Sequence, residues 1–419
     1  MLDPRSGTDI TGDVLIMDGR LAEAPPGLSC PEGTLRLDGR GKWLFPGLTD
    51  MHVHLREPGD EASETLETGL RAALAGGITT VGVMPNTDPP MDSPEQVERL
   101  LLASEGLGLA RTVPVPCVTR GRGGRELVDI PALCGMGVRA FSDDGDPVGN
   151  SSVLLEALDR VSRYDGVIIE HPEDKTLSGG CVNLGTLSRE LGVDGIPQVS
   201  ETADVARSLE IAGSSDGRLH LTHLSLPRSV QLARAGCFRR ANVTVDVTPH
   251  HMVLGEDALR KWGTMAKMNP PLREESHRRR LVEMVAEGLV DAVASDHAPH
   301  ARRGKDLPME SAAFGITGLE TLLPLTLEVL SNEGVPPLSI LGLLTTGPSR
   351  VLGLDRKGLQ PGAPADCVLF DPDEEYTIED RGSASLSMNT PFLSRRLRGR
   401  VKAVWMERLV YREGDLELH

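Results

Sequence analysis

ITTVGVMP (78–85), SPEQVERLLLASEG (93–106) and RTVPVPCVT (111–119) follow one another along the chain and decide its fold class. The first and third stretches are short apolar runs of the kind that form buried strands, and the middle one has a helical pattern. A strand, a helix and a second strand in this order predict two parallel strands of one sheet joined by a helix.

The same alternation continues from about residue 47 to residue 345. Apolar runs such as GVIIEHPED, RLHLTHLS, ANVTVDVTPHH and LVDAVASDHAPH are separated by helical stretches such as TADVARSLEIAGSS and EESHRRRLVEMVAEG. Roughly 300 residues of repeated β-then-α units fit an eight-stranded (β/α)8 barrel of the TIM type better than a small open sheet. The predicted fold class is therefore α/β.

Both ends of the chain have a different character. Residues 1–46 and 346–419 contain short strand-like runs interrupted by Asp-Gly, Asp-Pro and Glu-Gly-Asp turn signals. We expect these two segments to pair into one small β-domain beside a catalytic barrel formed by residues 47–345.

Charge and composition limit the class of partner. The formal net charge is −17, so a nucleic-acid role is not expected, because phosphate binding needs a basic surface. An anionic small molecule remains a candidate ligand if local arginines bind it. The six cysteines are scattered without a C-x-x-C pair, and neither a signal core nor an apolar membrane span is found. We therefore expect a cytoplasmic globular protein that does not bind membranes.

Polar side chains gather where the apolar runs of the predicted barrel end. They are His52, His54, Asn86, Asp143, Asp144, His171, His223, His250, His251, Asp296 and His297. The active site of a (β/α)8 barrel is built from the carboxyl ends of its strands and the loops that follow. The pattern therefore predicts one site at that end of the barrel.

The stretch DMHVHLREPG (50–59) supplies the first members of this site. His52 and His54 are two residues apart on a strand, so their side chains point the same way and can bind one metal ion. Taken alone, they could equally be half-exposed strand histidines. Arg56 has the planar fork that binds carboxylates, although alone it would be read as a surface arginine.

Asp143 and Asp144 in FSDDG (141–145) offer carboxylates, although Asp-Asp-Gly is more often a plain turn. There is no lysine between Lys42 and Lys175, so a carboxylated lysine cannot bridge two metal ions in this stretch. A bridging ligand there must be a carboxylate or water, and either aspartate could provide it.

The later strand ends complete the candidate set. His171 and His223 each end an apolar run, whereas His220 has the opposite parity and is assigned to the barrel wall or a satisfied polar contact. Asp296 can bind a metal ion and also exchange a proton with bound water. The roles of His250 and His251 stay open. Nitrogen and oxygen ligands of this kind fit one or two zinc ions.

Taken together, these motifs resemble the amidohydrolase superfamily, and specifically the dihydroorotase family of the long bacterial type. The resemblance covers essentially the whole chain. It rests on FPGLTDMHVHLREPG (45–59), GGITTVGVMPNTDPPMDS (76–93), AFSDDG (140–145), EHPED (170–174), LHLTHLS (219–225), KMNPPLR (267–273), SDHAPH (295–300) and FGITGLET (314–321). Such enzymes interconvert N-carbamoyl-L-aspartate and L-dihydroorotate in pyrimidine biosynthesis. The resemblance implies a metal-bearing barrel with a small β-sandwich domain made from both chain ends.

The resemblance also implies a role for each candidate. The first zinc ion would be bound by His52, His54 and Asp296, the second by His171 and His223, and both by a bridging Asp144, so that a binuclear centre is favoured. Asp296 would also be the catalytic acid and base. The substrate-binding residues implied are His54, Arg56, Asn86, Asn269, His300, Phe314 and Gly315.

Small departures from the family pattern, at Pro172, Ser200 and Leu226, remove no proposed ligand. Three alternatives stay open: a hydantoinase or allantoinase, a non-catalytic partner of aspartate transcarbamoylase, and a structural metalloprotein. A complex with that transcarbamoylase and a homo-oligomeric state are further expectations. Residues 301–315 are either a lid over the substrate or a plain connection.

Overall fold

The protein is described by a computed structural model that covers residues 1–24, 32–235, 241–379, 382–412 and 414–418. The strands in these residues are β1 (Leu2–Asp3), β2 (Thr8–Asp9), β3 (Leu15–Met17), β4 (Arg20–Ala22), β5 (Trp43–Pro46), β6 (Leu48–Val53), β7 (Ile78–Val83), β8 (Arg111–Pro114), β9 (Ala140–Phe141), β10 (Val167–Glu170), β11 (Val182–Asn183), β12 (Gly195–Ile196), β13 (Arg218–Leu221), β14 (Asn242–Val247), β15 (Ala292–Val293), β16 (Asp366–Thr377), β17 (Arg396–Met406), β18 (Leu409–Arg412) and β19 (Asp415–Leu418).

The helices of the same residues alternate with the strands. They are α1 (Leu66–Ala75), α2 (Pro94–Leu107), α3 (Ile130–Gly135), α4 (Ser151–Ser162), α5 (Thr186–Leu191), α6 (Val199–Ala212), α7 (Pro227–Ala233), α8 (Pro249–Val253), α9 (Ala258–Trp262), α10 (Glu275–Ala286), α11 (Arg302–Lys305), α12 (Leu322–Asn332), α13 (Pro337–Leu344) and α14 (Thr346–Val351), with short 3₁₀ helices at Arg120–Arg122 and Gly263–Ala266. None of these helices combines the length and apolar character that crossing a bilayer requires.

Eight parallel strands form the barrel that the sequence predicts. They pair in the orders β6-β7-β8 and β9-β10-β13-β14-β15. Backbone hydrogen bonds join the two sheets on both sides: Ser142 N donates to Pro116 O at 2.9 Å, and His54 N donates to His297 O at 2.9 Å. The ring is therefore closed, and the predicted fold class is confirmed.

Local signals explain why the decisive stretch folds as predicted. Strand β7 is buried at all six positions, as a strand covered on both faces must be. Helix α2 begins after Ser93, whose backbone N donates to the Gln96 side chain at 3.1 Å. It ends at Gly108, which adopts the left-handed conformation (φ 63°) that glycine tolerates best.

The two chain ends share one antiparallel sheet. Its strand order is β19-β18-β17-β16-β5, and Pro46 of β5 lies opposite Cys367 of β16. Asp366 fastens this sheet to the barrel, because its carboxylate accepts from Thr79 Oγ1 at 2.7 Å and pairs with Arg356 Nη2 at 2.9 Å. The pairing agrees with a β-domain made from both ends, whereas its division from the barrel at residues 46 and 345 stays a prediction.

Candidate active site

His52 and His54 lie on and just after β6, and both face the carboxyl end of the barrel. Asp296 follows β15, which neighbours β6 in the closed ring. Asp296 Oδ1 lies 3.3 Å from His54 Nε2 and 3.6 Å from His52 Nε2. All three side chains are buried. Closure of the barrel therefore brings together two histidines and a carboxylate that are more than 240 residues apart in sequence.

Asp144 lies at the middle of the candidate ligands. Its Oδ1 is 3.3 Å from His52 Nε2, 3.6 Å from His223 Nε2 and 3.9 Å from His171 Nδ1. Its other oxygen is 3.6 Å from His54 Nε2. This carboxylate therefore reaches every histidine of the predicted ligand set, as a bridging ligand would.

Two overlapping groups of ligand atoms lie within 4.8 Å of one another. They consist of His52, His54 and Asp296, and of His52, Asp144 and His223. His52 Nε2 and Asp144 Oδ1 are buried and have no hydrogen-bond partner among the described residues. Buried polar atoms without partners carry a free-energy cost that a bound cation would remove. The donors therefore fit a divalent metal ion.

The second ring nitrogens of the first two histidines are held as metal-binding histidines usually are. His52 Nδ1 is 2.9 Å from Thr222 Oγ1, and His54 Nδ1 is 2.6 Å from Asn86 Oδ1. These contacts fix the orientation of each ring and leave both Nε2 atoms directed at Asp144 and Asp296.

His171 is placed at the edge of the ligand cluster. Its Nδ1 is 3.0 Å from His223 Nε2, and its Nε2 is 3.2 Å from Glu173 Oε2. Asn269 Nδ2 donates to the same Glu173 oxygen at 3.2 Å. His171 therefore joins the cluster through His223 and Asp144, and links it to the segment that carries Asn269.

The structure separates the roles of the two neighbouring aspartates. Asp143 Oδ1 accepts from Val118 N at 2.8 Å and from Thr119 N at 3.1 Å, and its other oxygen accepts from the Thr119 hydroxyl. Burial raises the pKa of the Asp143 carboxyl to about 6. Asp143 therefore anchors the loop after β8, and Asp144 is the residue that faces the site.

The charges of the cluster are mutually dependent. Burial alone would raise the pKa of Asp144. The nearby His52 and His223 have the larger effect and hold this pKa well below its usual range. The pKa of Asp296 is lowered in the same way, against burial, by His54 and His52. Burial alone would lower the pKa of His52, but Asp144 and Asp296 raise it to about 9. Both carboxylates are thus ionised and available as ligands at neutral pH.

Arg56 lies beside the cluster with its fork turned toward His300. Its Nε donates to Pro299 O at 3.1 Å, and its Nη2 is 3.4 Å from His300 Nε2. Among the described residues it has no carboxylate within 4.0 Å, although it is largely shielded from solvent. A shielded guanidinium without an acidic partner is suited to bind an anionic ligand.

His300 and the Phe314–Gly315 backbone face each other on the same side of the site. His300 Nε2 is 2.7 Å from Phe314 O, and burial together with Arg56 lowers the pKa of His300 to about 3. The imidazole is therefore neutral and donates to the carbonyl. Gly315 has φ 110°, and a Cβ there would lie 2.4 Å from Ala298 Cβ, so only glycine fits.

Three residues of the predicted set have a backbone conformation that is rare for residues other than glycine. They are Arg56 (φ 58°), His223 (φ 40°) and Asp296 (φ 47°). Such strain persists only where the surrounding structure enforces it, and it clusters at functional sites. In each case the backbone turns shortly after a barrel strand, which places His223 and Asp296 in the cluster and Arg56 beside His300.

Comparison with known proteins identifies the family. A profile described as "Dihydro-orotase-like" matches residues 41–228, and one described as "Amidohydrolase family" matches residues 200–407. A dihydroorotase of Anaplasma phagocytophilum is 40% identical over 98% of this chain and 94% of its own length. One of a Geobacter species is 39% identical over 99% and 98%.

The chain belongs to the dihydroorotase family. The family predicted from the motifs is therefore confirmed. Solved structures of hydantoinases share the fold: the L-hydantoinase of Arthrobacter aurescens superposes with a TM-score of 0.81 and the D-hydantoinase of a Thermus species with 0.77. Their sequence identities are 23% and 22%, and the matches cover 97% of this chain and 93% and 91% of theirs.

Several residues that support this dihydroorotase-family site could not be predicted from the sequence. Asp246 on β14 accepts from Thr222 Oγ1 at 2.9 Å and from His223 N at 2.7 Å, so it supports two residues beside the ligands. It also lies 2.7 Å from His220 Nε2, which confirms the expected satisfied contact of His220. An alternating pattern along β14 marks Asp246 as inward-facing, but nothing in the sequence gives its partners.

The two histidines left open by the sequence have different surroundings. His251 Nδ1 is 2.8 Å from Thr248 Oγ1, and its Nε2 is 2.9 Å from Pro270 O. It therefore holds the segment that carries Asn269. His250 is buried against the His251 ring, with centroids 4.5 Å apart, and its Nε2 has no partner among the described residues.

A buried ion pair supports the loop that carries His223. Glu201 on α6 accepts from Leu226 N at 3.1 Å and from the hydroxyls of Ser225 and Ser229. Arg273 Nη2 lies 3.2 Å from the same carboxylate, and both side chains are about 2% exposed. The pair therefore connects the His223 loop to the segment that carries Asn269.

We expect Arg273→Met to destabilise the protein by about 3–5 kcal/mol, because it leaves the buried Glu201 carboxylate without a counter-charge. Arg279→Met is the matched control. Arg279 pairs with Glu275 on the surface and is 71% exposed, so its loss is expected to cost less than about 1 kcal/mol. Thermal and denaturant unfolding of both variants measure the difference. Equal effects would contradict the role given to the buried pair.

Two buried lysines hold the segment 301–313. Lys305 Nζ donates to Thr264 O, Lys267 O and Ala313 O at 3.1, 3.0 and 2.8 Å. Lys267 Nζ donates to the carbonyls of residues 309, 310 and 312, the shortest of these bonds being 2.6 Å. The segment is thus tied through Lys305 and through residues 309–312 to residues 264–267, which precede Asn269.

The Lys305 ammonium gives this segment a pH-dependent stability. Burial, and then repulsion from Lys267, lower the pKa of Lys305 to about 7, whereas a lysine of the unfolded chain titrates near 10.4. The unfolded state therefore binds more protons between about pH 7 and pH 10, and stability from this group rises with pH across that window. We expect the melting temperature of the wild type to rise relative to that of Lys305→Met from pH 7 to pH 10. The exposed Lys357→Met is the control, and parallel profiles for all three proteins would contradict the prediction.

Proposed function

We propose that this chain catalyses the reversible, zinc-dependent cyclisation of N-carbamoyl-L-aspartate to L-dihydroorotate in pyrimidine biosynthesis. The observation that carries the proposal is the arrangement of a buried histidine and aspartate cluster beside Arg56, which has no carboxylate partner among the described residues. Family membership supports the same reaction class, the hydrolysis of a cyclic amide. The cluster suits a metal ion, and the guanidinium suits the carboxylate that distinguishes dihydroorotate from simpler cyclic amides.

The proposed metal ligands are those that the family resemblance implies, and the short distances within the cluster support them. His52, His54 and Asp296 would hold one zinc ion, His171 and His223 would hold a second, and Asp144 would bridge them. A bound zinc ion supplies Lewis acidity and lowers the pKa of water from about 15.7 to about 7. The position of Asp144 supports two ions over one, because one of its oxygens lies 3.6 Å from His54 Nε2 and the other lies 3.6 Å from His223 Nε2.

Asp296 is the proposed catalytic acid and base. In the ring-opening direction it accepts a proton from the attacking water and then donates it to the departing ring nitrogen. The pKa of its carboxyl lies below the usual range, so the group begins the reaction ionised. Ring closure follows the same path in reverse, with the side-chain carboxyl of N-carbamoyl-L-aspartate as the electrophile.

The substrate carboxylate is proposed to lie between Arg56, Asn86 and His300. Arg56 carries the charge, the Asn86 amide would donate a hydrogen bond, and the neutral His300 would donate its single N–H to the carboxylate in place of Phe314 O. Asn269 and the backbone of Phe314 and Gly315 are proposed to contact the pyrimidine ring. His54 would take part in both functions, because its Nδ1 contacts Asn86 and its Nε2 faces Asp296.

A hydantoinase or allantoinase is the second candidate, since hydantoinases share the fold. The central position in this ligand cluster is held by Asp144, and no lysine occurs between residues 42 and 175, which disfavours the lysine-bridged members of that group. Side-by-side assays of L-dihydroorotate, hydantoin and allantoin separate the candidates. A higher kcat/KM for a ring without the carboxylate would overturn our proposal.

Non-catalytic and structural roles are tested by the metal content. A protein that binds no zinc and stays inactive after zinc is added would be a scaffold rather than an enzyme.

We further propose a cytoplasmic location, a homo-oligomeric state and a complex with aspartate transcarbamoylase. Size-exclusion chromatography with light scattering, alone and with the transcarbamoylase, measures both assemblies.

A further inference from the structure

The chain segment 383–390, which we name the strap, lies between β16 and β17 and packs against loops of the barrel. Ser385 Oγ and Leu386 N both donate to the Glu64 carboxylate, the second at 2.9 Å. Ser387 Oγ donates to Ser63 O. Ser385, Ser387 and Asn389 of the strap are buried. A segment that belongs to the C-terminal part of the chain thus lies beside the proposed substrate site.

Asn389 connects the strap to both loops that carry proposed substrate contacts. Its Oδ1 accepts from His300 N at 2.9 Å. Its Nδ2 donates to Ala298 O at 3.0 Å and to Gly315 O at 3.1 Å. One amide therefore uses two donors and an acceptor, and it joins the backbone of residues 298 and 300 to that of residue 315.

We propose that Asn389 is a positioning residue for substrate binding, which holds His300 against the Phe314–Gly315 backbone. The inference rests on the proposed function, in which His300 binds the substrate carboxylate and Gly315 lies against the ring. The backbone N of His300 and the backbone O of Gly315 are fixed by the same amide, and the His300 side chain contacts Phe314 O at 2.7 Å. Between the two loops lies the segment 301–313, so the amide sets the distance between its two ends.

The amide group itself is what the position requires. Asn389→Asp keeps the size but replaces the Nδ2 donor by an oxygen that faces the carbonyls of Ala298 and Gly315. Asn389→Ala removes all three bonds and leaves the carbonyls of Ala298 and Gly315 and the N–H of His300 without this partner. Both changes would release His300 and Gly315 from each other and leave the proposed metal ligands in place.

Steady-state kinetics of the zinc-loaded, full-length protein with L-dihydroorotate test the proposal. We expect at least a tenfold rise in KM for Asn389→Asp and Asn389→Ala, equivalent to about 1.4 kcal/mol of binding free energy. The kcat is expected to stay within about threefold and the zinc content unchanged. Ser387→Ala, which removes another strap bond, is the matched control and should keep the wild-type KM. An unchanged KM, or a fall in kcat that accompanies loss of zinc, would overturn the proposal.

Amide hydrogen exchange of the same full-length variants gives a readout that does not need activity. The amide of His300 is expected to exchange at least tenfold faster in Asn389→Ala, which removes its acceptor, than in the wild type and in Ser387→Ala. Unchanged exchange would overturn the role of Asn389 even if KM rises. If the wild type does not turn over dihydroorotate, the proposed function fails, and the positioning of that substrate by Asn389 fails with it. If the wild type does turn over dihydroorotate but KM is unchanged in the Asn389 variants, only the role of Asn389 fails.

Discussion

Asp296→Asn is expected to lower kcat for L-dihydroorotate by about 10²- to 10⁴-fold, the range that a positioned acid or base contributes. The change keeps the shape of the side chain but removes its ability to accept a proton. It also removes a negative charge 3.3 Å from His54 Nε2 and 3.6 Å from His52 Nε2, so weaker zinc binding is expected as well.

The variant must therefore be assayed at saturating zinc, with the bound metal measured in the same sample. Circular dichroism and thermal unfolding should match the wild type, because Asp296 contacts the cluster rather than the hydrophobic core. Asp306→Asn is the control, since Asp306 is itself exposed and pairs with the exposed Arg302 on the surface. Full activity of Asp296→Asn would remove Asp296 from the mechanism. If Asp296→Asn unfolds and loses activity only to the extent that it unfolds, a structural metal site would be favoured.

Arg56→Gln is expected to raise KM for L-dihydroorotate by roughly 30-fold or more, as loss of a buried charge pair costs about 2–5 kcal/mol. The guanidinium has no carboxylate within 4.0 Å among the described residues, so its anionic partner is expected to be the substrate. Arg56→Lys keeps the charge but loses the fork, and should lie between the wild type and Arg56→Gln.

Two controls make the test of Arg56 specific. Arg303→Gln removes a charge that is 77% exposed and near Asp60, and should leave KM unchanged. Inhibition by orotate, which carries the carboxylate, should weaken in Arg56→Gln, whereas inhibition by uracil, which lacks it, should not. An equal effect on both inhibitors would mean that Arg56 supports the site without binding the carboxylate.

The fold and the family could be predicted from the sequence because their signals are local. Each barrel strand is a short apolar run, and the ligand candidates stand at or shortly after the end of such runs, as His54 and His171 illustrate. Because the carboxyl ends of parallel strands meet at one end of a barrel, the site follows from the fold alone. The β-rich character of both chain ends led us to expect that they pair, and β5 does pair with β16.

The supporting contacts could not be predicted, because their partners come from distant parts of the chain. Neither the turn signal nor the charge distinguishes Asp143 from Asp144, and only the backbone amides of residues 118 and 119 show which one faces away from the site. Asn389 is 89 residues from His300, and its surroundings in the sequence are those of an ordinary polar turn. Lys305 stands in a polar stretch, where a lysine is expected at the surface, but it is fully buried.

The most direct test is to measure zinc content and L-dihydroorotate turnover in the same purified sample, before and after chelation and after zinc is restored. We predict one or two zinc ions per chain, loss of turnover on chelation, and recovery with zinc in proportion to the metal bound. The kcat/KM for dihydroorotate should exceed that for hydantoin. Turnover that survives complete metal removal, or a preference for hydantoin, would contradict the proposed function.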